Sequence, residues 1–243
     1  MPKRMEMLPE QVNLGNLPVI WQRVAALDEQ AHRAMQSWHS MQFTARFVDE
    51  AQPAGPRIYI GVTRLLDIAI DNQEAFQSLI TNRGVTHWSQ WNLLRPVFEA
   101  SFYAIWVLDP NDSRERRRRG LRLEILDSRE QKNWIDSLRE VGLDEEVIAA
   151  NAQRQARATE VYRTEATALG LTWERATQPV KLITELPKLA YTREMYSDEL
   201  NNFLISKWRR LSGFQHGFGY ALMAGADQLS CRVVERATAG ILE

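Results

Sequence analysis

Cysteine, lysine and histidine are scarce in this 243-residue chain: one Cys, five Lys and four His. With Cys231 alone, no intrachain disulfide can form and a zinc site built of thiolates is excluded. A reducing cytosol fits this best. Long apolar runs are also missing. The longest, Val97 to Leu108, is interrupted by Glu99 and falls short of the roughly 20 residues that cross a bilayer. The opening Met1-Pro2-Lys3-Arg4-Met5-Glu6 leads into polar and Pro-containing residues rather than an apolar signal core. Charge of one sign is lacking too, since the formal net charge is −1. Only local patches can then attract nucleic acid or membrane. No phosphate-cradling Gly-rich loop and no nucleophile elbow occurs. His32 and His39 share a helical face seven residues apart, but no carboxylate completes a metal site with them. The expectation is a cytoplasmic protein with no membrane association, no metal and no cofactor.

Apolar residues make up 44% and charged residues 25%, the proportions of a globular chain with a full core. Their spacing is helical nearly throughout. A first helix from Pro18 carries Ile20, Val24, Leu27, Ala31, Met35, Trp38, Ala45 and Val48, with one gap near Met41, and Pro53-Ala54-Gly55-Pro56 stops it. A second buries Ile58, Val62, Leu65, Ala69, Phe76 and Ile80 and ends at Gly84, where glycine suits the left-handed cap. Trp88 to Leu108 is apolar on nearly every side and reads as a central helix that Pro96 either starts or kinks. Asp112 with Glu115 forms a capping-box pattern opening a fourth helix to Gly142. Asp144, Glu145 and Glu146 open a fifth that Gly170 closes. The pattern breaks between Leu171 and Thr192, with room for a single helical turn, and a last helix carries Tyr196, Leu200, Phe203, Leu204, Trp208 and Leu211. These features imply an all-α fold: one domain over residues 1–243, an up-and-down bundle of about six helices with one irregular insertion.

Three constellations carry chemistry. The first is Trp208-Arg209-Arg210-Leu211-Ser212-Gly213-Phe214-Gln215-His216-Gly217. If the last helix runs through Gly213, Arg209, Ser212 and His216 share one face at i, i+3, i+7, whereas Arg210 points elsewhere. The second is the run Arg114-Glu115-Arg116-Arg117-Arg118-Arg119-Gly120-Leu121-Arg122. Successive residues turn about 100° around a helix, so these cations cannot all face solvent. At least one must turn inward and needs an acidic partner. The run reads either as phosphate or RNA contact, with Arg116 and Arg119 foremost, or as a surface paired with Asp112, Glu115 and Glu124. The third is Arg95 with Glu99, four apart on the apolar central helix. They form a structural ion pair, or Glu99 orients His216 in a pocket walled by Tyr103 and Trp106.

An Arg separated from a His by four to six residues, inside a helical bundle, resembles the signature of the HEPN superfamily. Both Arg209-x6-His216 and Arg210-x5-His216 have that spacing. The polar residue that usually follows the family's Arg, together with the helix phase, selects Arg209. The resemblance implies a metal-independent endoribonuclease of the toxin–antitoxin or phage-defence kind that dimerises so that two motifs face one composite site. On that reading His216 is the general acid/base and Arg209 stabilises the phosphate, supported by Arg210 and Glu99, while Arg116, Arg119, Ser212 and Arg95 contact RNA. Arg209 and His216 would stand about 10 Å apart along one helix, so a homodimer or a bridging substrate is required. The small pair Gly213-x3-Gly217 suits close helix contact between two chains. The alternative is a non-catalytic helical interaction or oligomerisation module, with His216 hydrogen-bonded across helices. A third possibility is a small-molecule pocket lined by Arg95, Glu99 and neighbouring aromatic residues.

Overall fold

The computed structural model describes residues 17–36, 44–84, 86, 89–138, 142, 144–190 and 198–216. His39, His87, Trp88, Gly217, Gly219 and Cys231 lie outside the described residues, as does the side chain of His32. Among the described residues there are nine α-helices and no strand. They are α1 (Leu17–Gln36), α2 (Ala45–Glu50), α3 (Gly55–Arg83), α4 (Ser89–Leu108) and α5 (Ser113–Leu138). After them come α6 (Glu145–Ala168), α7 (Trp173–Ala176), α8 (Leu182–Glu185), a 3₁₀ turn at Leu186–Lys188, and α9 (Asp198–Gln215). The protein is all-α.

The helix count exceeds the expected six for two local reasons. The first predicted helix does not run unbroken to Val48. Thr44 adopts extended backbone, with φ −93° and ψ 155°, and its side chain accepts from the Phe47 N–H, so a new helix starts at Ala45. The segment between Gly170 and Thr192 holds two one-turn helices, α7 and α8, rather than a single turn.

The expected caps are present. The Asp112 carboxylate accepts the Glu115 N–H at 2.9 Å, and Asp144 accepts that of Glu146 at 2.7 Å. At the end of α6, Gly170 sits at φ 64°, its N–H donates to the Thr167 carbonyl, and the Leu171 N–H donates to that of Ala166. That is a Schellman ending, which requires a left-handed residue at this point. Helix α4 runs through Pro96.

The described residues group into two compact units, one within Met1–Trp38, Arg64–Ile105 and Leu182–Glu243, the other within His39–Thr63 and Trp106–Lys181. In the first unit Trp21 meets Phe76 edge-on with centroids 6.2 Å apart, and Trp91 stacks on Phe214 at 4.9 Å. Val97, Phe98, Phe102, Leu204 and Leu211 are fully buried around them. In the second unit α5 and α6 pair over Leu121, Ile125, Tyr162, Ala166 and Leu169, with Ala54 and Ala176 completing the cluster.

The basic run at the start of α5 lies in the second unit and supplies its main polar ties. Arg116 is buried and points at Asp49 of α2, itself fully buried, with Nε to Oδ2 at 2.8 Å and Nη2 to Oδ1 at 3.0 Å. Its Nη1 donates to the carbonyls of Pro110 and Asn111. Arg114 and Arg118, one turn apart, both donate through Nε to the Leu169 carbonyl at 2.9 Å. Arg117 reaches the Pro53 carbonyl, and Arg119 that of Trp106 at 2.7 Å. Arg119 thus holds a carbonyl in the last turn of α4, and Arg114 and Arg118 the carbonyl that caps α6, where the helix dipole favours a cation.

Candidate functional site

Two ridges of i, i+4 side chains define the site in the first unit. One is Trp91, Arg95, Glu99 and Tyr103 on α4; the other is Trp208, Ser212 and His216 at the end of α9. Glu99 Oε1 accepts from Arg95 Nε at 2.9 Å and from Trp208 Nε1 at 2.9 Å. Arg95 Nη1 lies 3.4 Å from His216 Nε2. Glu99 thus reaches the histidine through Arg95. A guanidinium can only donate, so this contact is a hydrogen bond only when Nε2 is the ring nitrogen without a proton. His216 is exposed, whereas Arg95 and Glu99 are half-buried. Tyr103 stands beside them: burial, then the Glu99 charge, pushes its phenol up, and the Arg95 charge opposes this.

The remaining sequence candidates fall in different places. Arg209 is exposed, and Ser212 is half-buried with its carbonyl accepting the His216 N–H at 3.0 Å. Arg210 turns to the opposite flank of α9, where its guanidinium stands 5.9 Å from the centroid of Phe214. Arg116 and Arg119 belong to the second unit. Arg116 directs four N–H groups to Asp49, Pro110 and Asn111. Arg119 lies over the Trp106 ring at 5.1 Å and faces Asp109 and Glu115. Trp106, expected as a wall for the histidine pocket, is in that unit too and also receives Arg122 at 5.4 Å. Gly213 is buried inside α9.

Sequence reasoning missed Trp208 as a polar residue, because it fits the apolar stripe of the last helix. The available signal was its spacing, four residues before Ser212 and eight before His216.

The second unit contains an open groove of about 730 Å³ lined by Thr44, Arg46, Val48, Tyr59, Leu108 and Arg116, among others. Its two cations are engaged: Arg46 pairs with Glu50 at 2.7 Å and Arg116 with Asp49. Burial alone would raise the Asp49 carboxyl. Hydrogen bonds, that from Arg116 foremost, together with the Arg116 charge outweigh burial and hold it below the usual carboxylate range. Tyr59 donates to Asp49 Oδ2 at 2.8 Å; burial first, then the Asp49 carboxylate, pushes its phenol up to about 12.

Among the described residues no group of three or more His, Cys, Asp or Glu is placed to hold a metal ion, and no helix is long and apolar enough to cross a membrane. Comparison with family models, curated proteins and solved structures gives no match for this chain.

Proposed function

We propose that this chain is a HEPN-like, metal-independent endoribonuclease whose chemistry sits at the end of α9. One observation carries the reading: an exposed imidazole, His216, lies 3.4 Å from the Arg95 guanidinium, which Glu99 and Trp208 fix in place. That pair supplies what cleavage by a ribose 2′-OH needs. His216 Nε2 takes the 2′ proton once an RNA phosphate draws Arg95 away from it. Arg95 then stabilises the charge that develops on the phosphoryl oxygens. This role is closer to the histidine than the one expected of Arg209, which at about 10 Å along the helix acts on the same phosphate from a second chain. A homodimer and a role in defence or growth control belong to the same proposal.

The test is cleavage of single-stranded RNA by the purified chain in chelator, compared with His216→Ala and Arg95→Met. Activity should fall by about 10²-fold or more in each, the usual contribution of an acid/base or of one oxyanion donor. Equal cleavage by the wild type and His216→Ala would sink the proposal.

The alternative reading is a non-catalytic helical interaction module. One observation favours it: Trp134 on α5 is 60% exposed, and Val147 and Val161 on α6 are 45% and 42% exposed. It is supported if no RNA is cut while a partner or second copy protects Trp134 from solvent quenching.

A further inference from the structure

Val48 is 54% exposed and Leu108 40%, and both line the open groove of the second unit. Single exposed apolar side chains are ordinary on a protein surface. These two share one concavity of about 730 Å³ with Ala45 and Pro110, a volume within the range of small-molecule sites. The walls of the groove are held from beneath by one buried side chain. The Arg116 guanidinium donates to Asp49 of α2 and to the carbonyls of Pro110 and Asn111, which follow α4. Asp49 in turn accepts from Tyr59 of α3. These bonds are internal to the protein and set the spacing of the walls, so binding has little ordering left to do. Charge in the groove is balanced as well. Arg116 lies against Asp49, and Arg46 lies against Glu50 at 2.7 Å and over the Tyr59 ring at 5.5 Å. The exposed polar lining, Thr44 and Asn111, is uncharged. A charged ligand would give up its water here and meet no net opposite charge. All these residues belong to the second unit, so nothing here depends on RNA cleavage at His216.

We propose that this groove, walled by α2, the end of α4 and the start of α5, binds a small neutral amphipathic molecule. An apolar ring or chain covers Val48, Leu108 and Pro110, which removes their exposed surface from water. One hydroxyl, carbonyl or amide of the ligand meets the Asn111 side chain, whose amide both donates and accepts. The two internal ion pairs stay as they are, because a neutral ligand asks neither arginine to leave its carboxylate.

N-phenyl-1-naphthylamine, a neutral apolar fluorophore with one N–H, tests this on the full chain beside its anionic relative 8-anilinonaphthalene-1-sulfonate. Fluorescence titration should show the neutral probe saturating a single site, about tenfold or more tighter than the sulfonate, which must be desolvated without a counter-charge. Equal or tighter binding of the sulfonate overturns the ligand class, and no saturable binding of the neutral probe overturns the site. Val48→Glu and Leu108→Glu should each weaken the neutral probe about tenfold, by removing apolar contact. Both positions are exposed, so these substitutions leave folding nearly unchanged. Trp134→Ser, on the other exposed apolar patch, should leave the affinity as it was. Loss of binding in Trp134→Ser, with none in the two groove variants, overturns the proposal. Hydrogen exchange of the wild type gives the location without any variant: the probe should slow exchange over residues 44–48 and 108–113, and protection confined to other segments overturns the site.

Discussion

Asp49→Asn removes one charge from the most buried ion pair of the second unit. Asp49 is 0% exposed and Arg116 7%. The carboxylate accepts Nε at 2.8 Å, Nη2 at 3.0 Å and the Tyr59 hydroxyl at 2.8 Å. Asparagine keeps the volume but has one acceptor oxygen, so its NH₂ is turned toward at least one donor. The Arg116 charge then stays in the interior without the Asp49 counter-charge, held by the Pro110 and Asn111 carbonyls and at most the one amide oxygen. Breaking a buried pair on one side costs about 3–5 kcal/mol. Equilibrium urea unfolding followed by far-UV circular dichroism should show a loss of that size at pH 7. Adding Arg116→Met should recover part of it, a coupling of about 1–3 kcal/mol for residues in contact. Acid should shrink the difference between wild type and Asp49→Asn. Because the folded carboxyl is held low, its contribution is complete above about pH 4, the unfolded value, and is lost as pH falls through the folded one. A loss below about 0.5 kcal/mol at pH 7 would place the pair with ordinary surface substitutions and refute the argument.

Tyr59 gives the opposite limb. Its phenol is pushed up to about 12 from 10.0, so the stability it contributes is full below pH 10 and disappears as pH rises toward 12; ultraviolet titration of wild type against Tyr59→Phe should locate one phenol in that window. Gly55→Ala should destabilise by more than about 3 kcal/mol in urea unfolding, beyond ordinary overpacking, because a Cβ at this buried position would overlap the Asp49 carbonyl. Gly170→Ala should cost about 1–2 kcal/mol, the penalty of a left-handed L-residue, and hydrogen exchange at the Leu171 amide should speed up with it. Trp208→Phe keeps the ring packing and loses the donor to Glu99; in the cleavage assay it should lower activity about tenfold while leaving the melting temperature within a few degrees.

The helices were legible because their signals are local. Gly170 after an Ala- and Glu-rich period, Asp144 before two glutamates, and Asp112 three before Glu115 each settle a terminus with residues a few positions apart. The same locality explains the error at Thr44, since a stripe with one gap fits one helix or two equally well, and Thr44, though of an N-cap residue type, is followed three positions on by Phe47 rather than by the Glu or Gln that completes a capping box. The arginine run shows where reading stops. Sterics required at least one of these cations to turn inward onto an acid, and Arg116 does so. The acid is Asp49, 67 positions away, which no spacing rule could select over Asp112, Glu115 or Glu124. For Arg114, Arg117 and Arg118 the tertiary partners include main-chain carbonyls, at Leu169, Gly170 and Pro53. A carbonyl has no residue signature at all. The histidine site has the same character. Arg95 with Glu99 was readable as an i, i+4 pair, and His216 as one end of a polar stripe, but their meeting spans 121 positions. Helix phase singled out Arg209 within its own helix, whereas the guanidinium 3.4 Å from His216 is that of Arg95 on another helix, because contacts between helices obey no phase common to both.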